Sequence, residues 1–492
     1  MRTTLLLAVL VAAVCTVRLF RTPWSASGLA GEPESVESAV AARRLAEGRG
    51  LSFEVAGQAL PPRTGSWFPA ALAPAHLALP GEPGAGVLAV LAFSVAGCLS
   101  AFALGRRMAG DWGGVLAALA VACAPAFGAA AGSVRPEAPS AALLLLGACA
   151  LARGWKHVEW RWLAASALCV VGAAALRPLC AWCALPIGLA GLHRGRAWAG
   201  IGALALPFAA LVGATALWNF WWFGDPLRTA RAFWGTWPDG GPLPGLSASF
   251  VPEGLRELAS PWVAGIAAAG ALGAWRVRMA HREASAPVLA FALLGAAPMS
   301  VQQLLSPPEG AAAHLPLLAL LGVLAGAGVA SLLPEKPWRA AMPLPAAIAS
   351  LAALVGTPRE AIPVRRIAAD GLARAVPRGA VLVTGINPAY LGPFLAGRSG
   401  ATIVPATREV AYARLRGPCG RPLAGPVADE SIPAIERLAR RGVPVLVDTS
   451  SVPPGSRAWM ALTSRLRPSG ASRRCAWAVR LRPPAGLASR PK

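Results

Sequence analysis

Long apolar runs recur along this chain, separated by short basic clusters, and that pattern leaves few folds open. A run of about 17–25 apolar residues matches the hydrocarbon thickness of a bilayer. Such runs fall at 4–20, 85–105, 113–132, 138–153, 161–176, 178–193, 198–218, 260–276, 284–301, 312–333 and 339–356. The spacing predicts about eleven crossings. Of the 492 residues 55% are hydrophobic and only 14% charged, too little polar surface for a soluble globule. The expected fold class is a polytopic α-helical membrane protein.

The basic clusters predict its orientation. Arg106 and Arg107; Arg153, Lys156, His157 and Arg161; His193, Arg194 and Arg196; Arg276, Arg278 and Arg282; and Lys336 with Arg339 occupy alternate connections. All fall on one side if the N-terminus is cytoplasmic, and the positive-inside rule makes that side the cytoplasm. The first loop (21–84), the loop at 219–259 and the C-terminal region then face outward. Met1 to Phe20 reads either as the first span or as a signal peptide, with Arg2 ahead of the apolar core and Ser25, Ala26 and Ser27 behind it. Neither reading alters the downstream orientation, and the expected location is the inner (plasma) membrane.

Two domains are expected: residues 1–356 in the membrane and 357–492 as a small extracytoplasmic α/β domain. Ala380–Thr384 and Pro444–Asp448 read as short buried strands. Residues 364–375 and 432–441 read as amphipathic helices. The formal net charge of +23 is mostly arginine at span ends and in this tail, suited to anionic headgroups. No basic patch interleaved with exposed aromatics is present, so a nucleic-acid partner is not expected. Cys180 and Cys183 have CxxC spacing, but no second pair or histidine cluster supports zinc. Cys419 and Cys475 lie in the tail, where an oxidising compartment would permit a disulfide.

The first outward loop carries the most information. Val36, Val40, Ala41 and Leu45 recur at helical spacing, so 34–46 reads as a surface helix ended by Gly48 and Gly50. The string Glu34-Ser35-Val36-Glu37-Ser38, followed by Ala-Ala-Arg-Arg-Leu-Ala-Glu-Gly-Arg-Gly-Leu-Ser, resembles the first external loop of GT-C-fold glycosyltransferases. These include the family 39 protein mannosyltransferase-like and aminoarabinose transferase-like enzymes. Glu34 falls where that family has an Asp, and Ser38 where it often has a Tyr. Ser133-Val134-Arg135-Pro136-Glu137-Ala138 is similar to the family's second external loop. Ala175-Leu176-Arg177-Pro178 is similar to its outward "R-P" turn, and Trp218 to Leu227, with Asn219 and Asp225, to its "N-x-x-x-F-G-D-P" stretch.

The resemblance implies a GT-C-like fold and transfer of a sugar from a polyprenyl-phosphate donor to a glycan, lipid or protein acceptor at the outer face of a bacterial cell-envelope membrane. It implies Glu34 as catalytic base and Arg135 and Arg177 as donor-phosphate ligands, with Glu137, Asn219 and Asp225 as accessory residues. Such chemistry needs a base for the acceptor proton and cations for the departing phosphate. It needs no nucleotide-binding loop, and none is present in the sequence. Some family members use a divalent metal, which Glu34 and Glu137 are able to ligate. The plainer reading makes Glu34 and Glu137 helix N-terminal carboxylates, Arg135 and Arg177 interfacial, and Asn219 and Asp225 turn residues. Trp218, Trp221 and Trp222 read as an interfacial belt. His76 and His314 are isolated and are assigned no role. A transporter or flippase of lipid-linked sugar, and a catalytically degenerate membrane scaffold, stand as alternatives.

Overall fold

The computed structural model describes residues 33–55, 58–60, 62, 65–80, 85–155, 159–193, 197–227, 251–259, 261–280, 282–305, 311–332, 375–377, 379–384, 402–405, 431–450, 452, 454–472 and 475–483. The expected spans 4–20 and 339–356 and all but the last residue of the helix expected at 364–375 lie outside them, as do Cys15 and Cys419.

The chain enters through α1 (Pro33–Ala46), a short antiparallel pair β1 (Phe53–Val55) and β2 (Gln58–Leu60), and α2 (Trp67–Ala78). The sequence reading anticipated α1 and its glycine end. Gly48 and Gly50 do adopt positive φ (73° and 82°), the region glycine enters at little cost.

A bundle of apolar helices follows. α3 (Ala85–Ala122) turns back on itself at Ala109 and Gly110, where Gly110 has φ 71°. A straight helix would hold residues 105 and 113 about 12 Å apart. Instead a Cβ on Gly105 would lie 2.3 Å from the Gly113 carbonyl oxygen, so the two halves form a hairpin with backbones touching. The separate runs 85–105 and 113–132 expected from sequence are its two arms, the second extended by α4 (Pro125–Ala131). Next come α5 (Glu137–Gly154), α6 (Trp160–Leu176), a 3-10 segment Pro178–Ala184 leading into α7 (Leu185–His193), and α8 (Ala197–Phe223). Beyond lie α9 (Val251–Leu258), α10 (Pro261–Ala280), and α11 (Arg282–Ala290), which runs through a π turn Phe291–Ala296 into α12 (Ala297–Leu304). A 3-10 turn Ala311–His314 opens α13 (Leu315–Leu332).

Among the described residues four helical stretches, 85–122, 198–223, 283–304 and 315–332, are long and apolar enough to cross a membrane, and 160–176 and 178–192 are shorter apolar helices. The outer faces of α8 and α10 suit lipid. α8 leaves Trp198, Leu206, Val212, Leu217 and Trp221 between 66% and 84% exposed, and α10 exposes Leu272, Trp275 and Met279. Such a continuous apolar surface is stable against hydrocarbon and not against water.

Inside the bundle glycines set the helix spacing. A Cβ on Gly328 would sit 2.2 Å from the Gly273 Cα, and one on Gly326 2.4 Å from the Ala117 backbone nitrogen. α13 is therefore wedged against both α10 and the hairpin's second arm. Small residues allow this approach where lipid offers no hydrophobic driving force between helices.

The later residues form a five-stranded mixed sheet in the order β4-β3-β5-β7-β6, from β3 (Val381–Thr384), β4 (Thr402–Pro405), β5 (Val445–Asp448), β6 (Arg467–Ser472) and β7 (Cys475–Arg482). The strands β3 and β5 and the helix α14 (Ser431–Arg440) fall where the sequence placed them; β4, β6, β7 and α15 (Arg457–Thr463) are additional. Val381, Val383, Val445, Val447 and Leu481 pack with Ile432, Ile435 and Leu462 on one face. Leu382, Leu446 and Ala478 on the other face join the core cluster that runs through the bundle. Burial on both faces explains why β3 and β5 are continuous apolar runs.

The hairpin yields a stability prediction. Gly105→Ala puts a methyl into the Gly113 backbone, and overpacking of this kind costs about 1–3 kcal/mol or more. The melting temperature of the purified protein should fall by several degrees, whereas Gly202→Ala, where a Cβ meets nothing within 4 Å, should leave it unchanged.

Candidate functional site

Consecutive helices reverse direction, which collects α1, α2, residues 133–137, 177–178, 223–227, 305 and 311–314 at one end of the bundle. Arg106, Arg107, Arg153, Arg161, Arg276 and Arg278 gather at the other. The split agrees with the basic asymmetry read from the sequence.

Three of the expected site residues converge at the first end. Arg135 lies in the turn before α5, and Glu137 is that helix's first residue. An Arg135 Nη2 stands 3.2 Å from Glu137 Oε1. Glu137 Oε2 is buried with no hydrogen-bond partner. Ser140, one turn further on, donates to the Pro136 carbonyl at 2.6 Å, and the charges of Glu137 and Arg177 both reach the Cys180 thiol.

Arg177 follows α6 in an extended conformation (φ −145°, ψ 104°), as the Pro178 ring demands of the residue before it. It is only 7% exposed. Its Nη1 donates to the Ala313 carbonyl at 2.7 Å and its Nη2 to Gln303 Oε1 at 3.1 Å. The guanidinium thus ties α6 to α12 and to the turn before α13. Beside it lie further buried polar atoms without partners, Gln303 Nε2 and His314 Nδ1, and Ser300 Oγ, one turn before Gln303 on α12, is another. The sequence reading assigned these nothing. Gln302-Gln303 closing an otherwise apolar span was the available signal, because polar groups in a span are costly and tend to be functional.

Glu34 lies in α1, but its side chain is outside the described residues, as is that of Glu37. Ser38, at the family's Tyr position, is fully buried. Asn219 and Asp225 are engaged in their own turn: Asn219 Nδ2 donates to the Pro226 carbonyl at 3.2 Å, and Asp225 Oδ1 accepts from the Leu227 N–H at 3.0 Å. The helix ahead of that turn, α8, anchors the first loop. Trp67 Nε1 donates to Thr215 Oγ1 at 2.8 Å, and Gly50 lies so close under Trp222 that a Cβ would sit 2.5 Å from the ring.

His76 joins α1 and α2 to the 133–137 turn. It is 3% exposed, and both ring nitrogens lack partners. Its Nε2 and the Val134 side chain both lie within 4 Å of where a Cβ on Gly86 would stand. Burial first, and then the charge of Arg43, pushes its pKa down to about 4, with Glu47 acting in the opposite sense.

Among the described residues no group of three or more His, Cys, Asp or Glu side chains could hold a metal ion. Cys180 and Cys183 are buried in the apolar core. Glu137 Oε2 is an unpartnered carboxylate oxygen that a cation could use, and by itself it falls short of a metal site.

The geometry has clear relatives. The crystal structure of ArnT from Cupriavidus metallidurans bound to undecaprenyl phosphate superposes with a TM-score of 0.66 at 14% identity, covering 98% of this chain and 99% of that one. The Archaeoglobus fulgidus oligosaccharyltransferase in complex with Zn and sulfate gives a TM-score of 0.54 at 12% identity, covering 90% of this chain and 68% of that one. The same oligosaccharyltransferase tethered to an acceptor peptide containing the NVT sequon gives 0.53 at 12% identity. This is the GT-C fold. No protein-family model and no curated protein matches the chain, so the likeness rests on the fold alone.

A GT-C loop pinned over a neutral buried histidine should be acid-sensitive. The His76 pKa is depressed when folded, so below 6.5 the unfolded state takes up a proton that the folded state refuses. This contribution to stability is complete above pH 6.5 and drains away down to about pH 4. The melting temperature of wild type should fall across that window more steeply than that of His76→Leu.

Proposed function

We propose that this chain transfers a sugar from a polyprenyl-phosphate donor to a glycan, lipid or protein acceptor at the outer face of the membrane. The observation that carries this reading is the convergence of Arg135, Glu137 and Arg177 at the end of a GT-C bundle opposite its basic rim. ArnT, bound in its crystal to undecaprenyl phosphate, lends the donor class. In this reading the N-terminus is cytoplasmic, and residues 357–492 form the extracytoplasmic domain.

The transfer is of the inverting type. An acceptor hydroxyl attacks the anomeric carbon, the bond from that carbon to the phosphate oxygen breaks, and the polyprenyl phosphate leaves with the bonding pair. Glu34 takes the hydroxyl proton. Arg135 and Arg177 offset the charge growing on the phosphate, a task suited to a guanidinium's paired donors. In the resting protein Arg135 is held by Glu137, and Arg177 by Gln303 and the Ala313 carbonyl. Donor phosphate would compete for the guanidinium hydrogens. The unpartnered Glu137 Oε2 and Gln303 Nε2 supply further polar atoms at the same place.

Purified protein given a panel of polyprenyl-phosphate sugars, with and without added Mg²⁺ or Mn²⁺, tests the reading. Wild type should transfer or hydrolyse at least one donor, and Glu34→Gln should lower the rate about 10²–10⁴-fold, the usual weight of a general base. Unchanged turnover in both Glu34→Gln and Glu34→Ala would remove Glu34 from the mechanism. No turnover by wild type with any donor would overturn the enzymatic reading. Arg177→Lys keeps the charge but loses the paired geometry, so it should cost at least tenfold in rate.

A further inference from the structure

The end of the bundle opposite the candidate site carries a feature that sugar transfer does not use. Trp162, on the first turn of α6, has two guanidinium groups against its ring: Arg153 at 5.0 Å from the centroid and Arg161 at 5.5 Å. Gly154 makes the arrangement possible, since a Cβ there would lie 2.7 Å from the Trp162 Cβ. Arg107, at the end of the hairpin's first arm, and Arg153 both lie near enough to Cys149 for their charges to act on its thiol. Two exposed guanidiniums from two helix ends therefore share one ring, and a third, Arg107, stands on the adjoining helix end. The acid described among them is Glu159, which accepts from Arg161 at 2.8 Å. The cluster retains an excess of two positive charges.

Exposed apolar surface lies directly beneath it. Leu146, seven residues before Arg153, is 36% exposed, and Leu168, seven residues after Arg161, is 61% exposed. Seven residues are nearly two full helical turns, so each leucine stands on its arginine's face about 10 Å deeper toward the bilayer centre. Trp160 is 53% exposed beside them, at the level where tryptophan meets headgroups. A ligand matching this surface has a phosphate at the top and a hydrocarbon chain below.

We propose that Arg153 and Arg161, stacked on Trp162, bind the phosphate headgroup of an anionic phospholipid whose acyl chain runs over Leu146 and Leu168, with Arg107 at the neighbouring end of the hairpin's first arm adding to the positive charge. Guanidinium pairs with phosphate through two parallel hydrogen bonds, and basic pockets between helices at a membrane surface select anionic headgroups. The site is remote from Glu34, Arg135 and Arg177, so it stands or falls independently of the sugar-transfer reading.

Native mass spectrometry of the full chain, equilibrated with equal amounts of phosphatidylglycerol and phosphatidylcholine, tests it. Wild type should retain phosphatidylglycerol preferentially, and each guanidinium removed should lower the preference roughly fivefold. Arg107→Gln with Arg153→Gln should therefore abolish most of it. Arg276→Gln with Arg278→Gln, on the same end but outside the cluster, should keep it. Millimolar inorganic phosphate should not displace the lipid. Equal retention of the two lipids by wild type would overturn the proposal, as would an undiminished preference in the first double variant. An equal loss in the Arg276 and Arg278 control would reduce the effect to general surface charge, and displacement by inorganic phosphate would assign the site to a soluble anion; either result overturns the lipid assignment. Melting in phosphatidylcholine nanodiscs reports whether each variant is folded, and Arg153→Lys, which keeps the charge, should retain most of the preference. If the double variant does not fold, the wild-type lipid comparison and Arg153→Lys still decide.

Discussion

Hydrocarbon satisfies no backbone hydrogen bond, and that constraint governs everything else in this protein. It forces the apolar runs into helices whose peptide groups pair internally. It also removes the hydrophobic drive that would press those helices together, leaving close packing to hold them. The glycines supply that packing. Gly105 against Gly113 closes the hairpin, and Gly326 and Gly328 seat α13 against Ala117 and Gly273. Larger residues at these points would part the helices and, with them, the helix ends from which the candidate site is built.

The same constraint gives the site its chemical character. Arg177 is a buried charge at a span end, tolerable because Ala313 and Gln303 accept its hydrogens. Breaking such a paired buried charge costs about 3–5 kcal/mol. An anion arriving at Arg177 would therefore need to replace these partners, and a phosphate can do so. The atoms left without partners nearby, Glu137 Oε2, Gln303 Nε2 and His314 Nδ1, are what a site looks like when its polarity is arranged for something other than the protein itself. The opposite end has exposed guanidiniums, partnered with Trp162 and one carboxylate, which suits contact with headgroups rather than chemistry.

Much of this was legible in the sequence because it is carried by period and composition. Spans announce themselves by length, and the strands at 381–384 and 445–448 by short apolar runs. Arg177-Pro178 and Arg135-Pro136-Glu137 stood out as charges at span boundaries, and the structure brings them to one end. What escaped was set by contacts distant in sequence. Gln303 and His314 gain meaning only beside Arg177, more than a hundred residues away. His76 looked isolated because the residues that bury it, near Gly86 and Val134, come from other segments. The β1–β2 pair was missed because each strand is only three residues long, too short for an alternating pattern to stand out. β6 is polar, with Arg467, Ser469 and Ser472, and that polarity masked its pairing with the more apolar β7. Asn219 and Asp225, accessory candidates by motif resemblance, both hydrogen-bond within the turn that follows α8, a contact that Gly-Asp-Pro composition also announces.

The central claim is that a polyprenyl phosphate seats at the end of the bundle where Arg135, Glu137 and Arg177 meet. A photoreactive undecaprenyl phosphate analogue, cross-linked to the purified protein and mapped by peptide mass spectrometry, tests it most directly. The account predicts adducts on the peptides spanning residues 133–137 and 177–184, suppressed by excess undecaprenyl phosphate. Adducts confined to the opposite end, around Arg107, Arg153 and Arg278, or labelling that excess undecaprenyl phosphate leaves unchanged, would contradict it.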